Sequence, residues 1–532
     1  MLTSLFESIA LIVSQHQPVV EKYYGQGKML AVAARLVTEA DAIGLKVLSS
    51  WTEERRVATR LSLARETTFP VLKAIARGAP GTKAGEPIVV QDDDKPGLDK
   101  REVDGILAEV SMMSGRWQLL RRFLYGRLKE DEEEPDTPPP ALDHQPGDDP
   151  PPAPTPPPKE GTTESASPPD EADLSLVEES ELGQLLTEQL LAVYRPLEGW
   201  YLRSSIEKAH QVDELDTLSQ PSLSSSLDDT FYILKKTLYR LVSTGSIQTV
   251  VGLGKEVRMM VERDVAEVWR ARMEGAFKDV NAGGGVGRAR EEEKDRRERE
   301  ARGVFIIYLN NLDTAADYTA RLIDELLAGE AVSSAFFLEG ETERARLALY
   351  GVRGLEDKFR SVLKSGLDHL FNQLLRPRLR PVLSDVYKDV TYVLDEEAYA
   401  EAEYSNRVQK RFTAAWEQLM QPYRHSMTNT NFAAFFATAV NVLVRPWEGM
   451  IRGMRFTELG ALRLDRDLRG ILSWLSERGG VSSGAVRESF GRLTCIAECL
   501  TVETLEEAEE VSSAGGNRLT QGEVKAVWAL KV

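Results

Sequence analysis

The chain has 532 residues, too many for one hydrophobic core, so three or four domains are expected. Its formal charge is −18, but residues 130–181 alone hold seventeen Asp and Glu against the single Lys159 and account for −16 of it. The remainder is close to neutral, so the low pI is a property of one linker rather than of a binding surface and is not evidence against anionic partners; nucleic-acid binding finds no support, since the sequence shows no broad basic face and no RNA or DNA motif.

Along the chain, apolar residues recur at helical spacing. In the first block, Val103, Ile106, Leu107, Val110, Met113, Trp117, Leu120 and Leu124 make one buried stripe. Residues 78–100, with Gly, Pro and Asp, read as a loop. Residues 130–181 contain fourteen of the twenty-five prolines and few residues worth burying, so disorder is expected. Beyond them, Leu186, Leu190, Val193, Tyr194, Leu197 and Tyr201 form a second stripe. Val250, Leu253, Val257, Met260 and Val261 suggest a third. The stretch 281–303 pairs a glycine run with dense mixed charge and reads as a flexible insertion, with an exposed helix as one form of it. The run VFIIYL (304–309) has strand-like residues but no partner strand with turn signals nearby, so it reads as buried helix. The clearest stripe is Leu355, Phe359, Val362, Leu363, Leu367, Leu370, Phe371, Leu374 and Leu375.

These patterns predict an all-α chain, an elongated rod of stacked bundles. The expected units are 1–129, 183–280, 304–427 and 428–532, separated by the acidic linker 130–182 and the charged insertion 281–303. No fixed-period repeat is present. The longest apolar run, Phe432–Val444, is shorter than the ~18–20 residues of a membrane span and reads as a buried helix. No secretory signal opens the chain. Two cysteines, Cys495 and Cys499, are too few for a disulfide framework and suggest a reducing compartment.

Catalytic chemistry finds little support. The glycines at 25–27 and 283–287 lack the spacing of a phosphate-cradling loop. Cys495 and Cys499 sit four apart on one helix, but a structural zinc site needs four ligands, and small buried thiols fit better. The five histidines are scattered. Arg376, Arg378 and Arg380, in RPRLRP, form a basic cluster that reads as a solvated interhelix turn, with acidic lipid or a partner as the rival reading. No catalytic residue, cofactor or metal ligand is assigned. The C-terminal segment is more informative. Thr520, Gln521, Gly522 and Glu523 fit a capping box, in which Thr520 accepts the Glu523 N–H and the Glu523 carboxylate reaches back to the Thr520 N–H. A short helix follows, with Val524, Val527, Trp528 and Leu530 on its apolar side. Arg492, on the preceding helix, is a candidate partner for Glu523 that would fix how the last helix docks. The alternative is that Glu523 only caps and Arg492 is exposed.

Six blocks carry a family resemblance: LTSLFESIALIVSQHQPVVEKYYGQGK (2–28), LDKREVDGILAEVSMMSGRWQLLRRFL (98–124), LDDTFYILKKTLYRLVSTGSI (227–247), FIIYLNNLD (305–313), FTELGALRLDRDLRGILSWLS (456–476), and the closing VRESFGRLTCIAECLTVETLEE with RLTQGEVKAVWALKV. In this order they resemble the fourth-subunit family of the conserved oligomeric Golgi complex, whose members continue upstream with a coiled-coil region. The resemblance implies a non-enzymatic helical rod without a cofactor, peripheral on the cytoplasmic face of the Golgi membrane, tethering vesicles in retrograde transport. It also implies contacts with the other subunits of that complex, with SNAREs and with a Sec1/Munc18-type protein. From another class, a membrane-binding scaffold or a GTPase-activating module using Arg445 or Arg492 remains as the rival.

Overall fold

In the computed structural model of the protein, residues 1–25, 28–78, 88, 97–130, 180–278, 280, 288–480, 482–514 and 518–532 are described. The acidic Pro-rich stretch, most of the expected loop at 78–100 and the glycine run at 283–287 lie outside them. The described residues are helical almost throughout. Strand structure among them is confined to a two-residue antiparallel pair, Leu215–Asp216 with Leu223–Ser224, and two isolated bridges near the C-terminus.

Local signals in the sequence set the helix starts. Ser180, Ser246, Asp395, Thr428, Thr457, Ser482 and Thr520 each accept a hydrogen bond from a first-turn backbone N–H, satisfying donors that a helix leaves unpaired. The apolar stripes face inward as their periodicity predicts. Val103, Leu107, Val110 and Trp117 are buried on the Lys100–Glu130 helix, Leu186, Tyr194 and Leu197 on the next, and Leu355, Phe359, Leu370 and Leu375 further on.

The bundles are stacked as a rod with one continuous apolar core from Leu2 to Val527. At one end, Leu2–Tyr24 packs on Lys28–Glu54 and on Lys100–Glu130. Glu181–Gln184 passes through a π turn (Leu185–Gln189) into Leu190–Gln211, which lies on Lys100–Glu130 and on Ser225–Ser243. The middle is built on Arg288–Ala328, a 41-residue helix packed against Gly354–Leu370. At the far end, Asn429–Ile451, Glu458–Arg478 and Ser483–Thr501 form the last bundle, closed by the short Gln521–Trp528 helix.

Three expectations change. Residues 288–303 take the helical form expected as one option for the insertion, but as the opening turns of the 41-residue helix, so Gly303 lies inside a helix rather than at a domain edge. Ser180–Leu182, counted with the linker, are structured: Ser180 caps the next helix, and the fully buried Leu182 fills the space beside Gly44, where an added Cβ would sit 2.6 Å from Leu182 Cδ2. RPRLRP is not a turn but the start of the Arg376–Val386 helix. It follows a π turn at Phe371–Leu375, which sits where the ring of Pro377 would meet the preceding turn, while Pro381 lies inside the helix. Arg378 there pairs with Glu298, and Arg376 donates to Asn372.

The VFIIYL run is helical and explains its own sequence. From Phe305 to Asp313 every residue is buried, and a helix enclosed on all sides is apolar all round. Its polar exceptions are bonded. Asn310 Nδ2 donates to Ser222 O (2.9 Å) and Ser426 O (2.6 Å), while its Oδ1 accepts from Thr428 N (3.0 Å) and Asn431 Nδ2 (3.2 Å). Asn311 bonds to both the N–H and the hydroxyl of Ser224. The Asn310 side chain therefore joins the Leu223–Ser224 strand region to the start of the last bundle. Replacing Asn310 with Leu keeps the number of side-chain heavy atoms but strands these backbone groups. At ~1–3 kcal/mol for each buried group left unpaired, N310L is expected to cost about 3 kcal/mol, read as a lowered urea midpoint. An unchanged midpoint would refute this role.

Candidate functional site

The C-terminal helix is held at both ends. At its N-terminus the capping box forms: Thr520 N donates to Glu523 Oε2 at 2.8 Å, and Glu523 N donates to Thr520 Oγ1 at 3.4 Å. The other carboxylate oxygen of Glu523 faces two arginines, Arg492 Nη2 at 2.7 Å and Arg452 Nη2 at 3.1 Å. The structure thus brings Arg492 and Glu523 together, and Glu523 caps its helix as well. Arg492 also forks onto Glu448, with Nε to Oε2 at 3.1 Å and Nη2 to Oε1 at 2.8 Å, and its Nη1 donates to the Arg518 carbonyl at 2.6 Å. Arg452 closes the ring by donating to Glu448 Oε1 at 2.6 Å.

Two arginines and two glutamates therefore tie together three segments: the end of Asn429–Ile451, the helix Ser483–Thr501 and the terminal helix. Glu448 and Arg452 were not singled out by sequence. Their i, i+4 spacing marks a helical pair, but only the crossing of helices carries that pair to Arg492.

At the other end, Phe456 N donates to Leu530 O (3.1 Å) and Val532 N donates to Phe456 O (2.9 Å). Phe456 is also bridged to Tyr392, and Thr457 N donates to Tyr392 O at 3.1 Å. Val524 and Val527 are buried between the two ends, with Trp528 and Leu530 half-buried against the same core. Gly460 permits the Tyr392 approach, since a Cβ there would lie 1.6 Å from the Tyr392 carbonyl oxygen. Cys495 and Cys499 are buried free thiols within the neighbouring helix.

The hydrogen bonds set the electrostatics. The Thr520 backbone N–H, then Arg492, then the Thr520 hydroxyl and Arg452 pull the Glu523 carboxyl down to about 2. Arg492 likewise lowers Glu448, and the two carboxylates raise Arg492. Nothing in this arrangement presents a nucleophile or a free general base; it is a clamp. Arg492 has its guanidinium occupied, and Arg445 is exposed on the side of a helix rather than on a loop over a groove.

Two family models match the chain. The one described as "COG4 transport protein, middle alpha-helical bundle" covers residues 1–273, and "Conserved oligomeric Golgi complex subunit 4, C-terminal" covers 305–530. The chain belongs to the fourth-subunit family of the conserved oligomeric Golgi complex. Subunit 4 of that complex from Bos taurus and from Homo sapiens are each 24% identical over 557 residues, taking in 100% of this chain and 64% of the relative. The Arabidopsis thaliana subunit is 30% identical over 357 residues, covering 64% of this chain and 44% of the relative. The chain thus spans 64% of the length of the animal relatives. The clamp lies wholly within the region matched by the family's C-terminal model, and the 41-residue helix runs from the gap between the two models into the second.

The clamp makes two predictions. Arg492 is 40% exposed, so its pairs are partly screened. Arg492→Ala should cost about 1–2 kcal/mol. The reciprocal exchange R492E/E523R should recover only part of the loss of either single reversal, because Glu at 492 would face Glu448 and Arg at 523 would face Arg452. A double-mutant cycle with no coupling would remove Arg492–Glu523 from the account. The second prediction concerns pH. A carboxyl lowered from an ordinary value of about 4.3 to about 2 in the folded chain stabilises fully above the higher value, and that contribution fades as pH falls through the lower. The stability gap between wild type and Glu523→Gln should therefore be flat above about pH 5 and narrow towards pH 2. A gap independent of pH would contradict it.

Proposed function

We propose that this chain is the middle and C-terminal helical part of a non-enzymatic subunit of the conserved oligomeric Golgi complex. In this reading it serves vesicle tethering in intra-Golgi retrograde transport through protein–protein contacts. The observation that carries the proposal is the ordered match of the family's middle and C-terminal models across nearly the whole chain.

The physical arrangement suits that role. A tether works by reach, and helices rising 1.5 Å per residue, packed end on end along one core, give a stiff spacer. Weak contacts spread along such a rod add through effective concentration. No helix among the described residues is long and apolar enough to cross a membrane. In this reading the chain lies at the cytoplasmic face of the Golgi membrane and meets it through partners. These are the other subunits of the complex, with SNAREs and a Sec1/Munc18-type protein as further contacts.

The test is co-purification of the tagged chain from cells, with blotting for the other subunits of the complex. Recovery of several of them is expected. Their complete absence under conditions in which the chain is folded would refute the assignment.

A further inference from the structure

The Lys100–Glu130 helix carries two stripes. The first is the buried one through Val103, Val110 and Trp117. On another face, Ala108, Met112, Gly115, Leu119 and Arg122 follow one another at alternating spacings of four and three, the seam by which one helix receives another. The described residues leave its large apolar side chains open: Met112 is 59% exposed and Leu119 49%.

A cavity of about 630 Å³ opens along this seam, between the Lys100–Glu130 helix, the end of Ser225–Ser243 and the Glu330–Ala335 helix. Its floor is small or backbone: Gly115, Ser243, Gly245 and Ala335 line it. The floor is also fixed in place. A Cβ on Gly115 would lie 2.8 Å from the Ser243 carbonyl oxygen, and the buried Ser114 hydroxyl donates to Thr244 O at 2.6 Å. The groove is therefore built before anything binds, which lowers the ordering cost of binding.

Its charge is one-sided. Arg116 and Arg122 line the groove, are exposed, and have no carboxylate partner among the described residues. The neighbouring Arg240, by contrast, is held by Glu198 and Asp104.

We propose that this groove seats an α-helix from another protein, one with an apolar seam at 4–3 spacing flanked by Asp or Glu. The spacing of the exposed seam selects a helix over an extended peptide. The small floor lets its backbone come close. The two unpaired guanidinium groups select acidic flanks, since each can fork onto a carboxylate. The groove lies between the Lys100–Glu130, Ser225–Ser243 and Glu330–Ala335 helices, shares no residue with the C-terminal clamp, and its test does not depend on assembly into the Golgi complex.

The experiment selects a displayed library of amphipathic helices, with randomised seam and flanks, against the full chain. The survivors should converge on an apolar heptad seam with acidic flanks. Leu119→Glu, at an exposed position, should weaken their binding at least about tenfold, equal to 1.4 kcal/mol. R116E/R122E should reject the acidic helices and accept the same peptides with Glu exchanged for Lys. This second variant alters only exposed charges, so it keeps the test decisive if Leu119→Glu fails to fold. The proposal is overturned if no helix survives selection, if the survivors lack acidic flanks, or if both folded variants bind as wild type does. It is overturned equally if helices bind only after residues 131–179 are excised, which would give the groove to the chain's own segment. A dimer in sedimentation that Leu119→Glu dissolves would give it to a second copy and overturn the proposal too.

Discussion

A helix enclosed on every side has to satisfy each polar atom it carries, and the centre of this molecule is such a helix. Between Phe305 and Asp313 every residue is buried. Asn310, in the middle of that stretch, spends both ends of its amide on other segments: the loop before Ser225–Ser243 and the cap of Asn429–Ile451. Asp313 adds the Thr428 hydroxyl (2.7 Å) and Arg360 (2.9 Å). Apolar packing brings these bundles together without direction. The buried amide gives the contact a register, because sliding either neighbour would leave donors and acceptors unpaired in a dry core.

The same logic recurs at the other bundle crossings. Glu198, fully buried, takes a bidentate fork from Arg240 (2.8 and 2.6 Å), and Arg240 reaches Asp104 on the Lys100–Glu130 helix. Arg272 donates to Tyr308, whose hydroxyl donates to Asp213 at 2.7 Å. His210, enclosed beside Arg272, is pushed down to about 4 by burial and by that guanidinium, so it stays neutral at physiological pH. Removing one member of such a set leaves a charge or dipole with no water to replace its partner. The C-terminal clamp is built from the same groups but sits at the surface, where solvent takes up part of each charge. It fixes the angle of a terminal helix more than it adds stability. In the proposed tethering role, internal crossings would hold the stack in line and surface groups would remain for partners.

How far the sequence could be read depended on distance along the chain. Periodicity within one helix placed the stripes of Lys100–Glu130 and Gly354–Leu370, because that signal spans only a few residues. The Thr520–Glu523 box was legible for that reason. The RPRLRP reading failed because the helix continues through both prolines, with a π turn just before Pro377 and Pro381 inside the helix, and nothing in the local composition announces this. The charged stretch 288–303 read as an insertion because charge hides helical phase; its continuity with the buried Phe305 segment is what makes it helix. Arg492 and Glu523 could be named as candidates, while Glu448 and Arg452 could not. Their part depends on where three helices cross.

By itself, the sequence determined that the chain is helical, where its apolar faces lie, that its acidity belongs to one segment, and which family it resembles. These are properties of composition and of short-range spacing, written into each segment separately. Only the tertiary structure decided that Asn310 joins two bundles, that Glu523 is shared between a cap and two arginines, and that one seam of the Lys100–Glu130 helix keeps its large apolar side chains open. Each depends on groups far apart in sequence meeting within hydrogen-bond or packing distance. That meeting is set by how whole helices cross, so no local pattern records it.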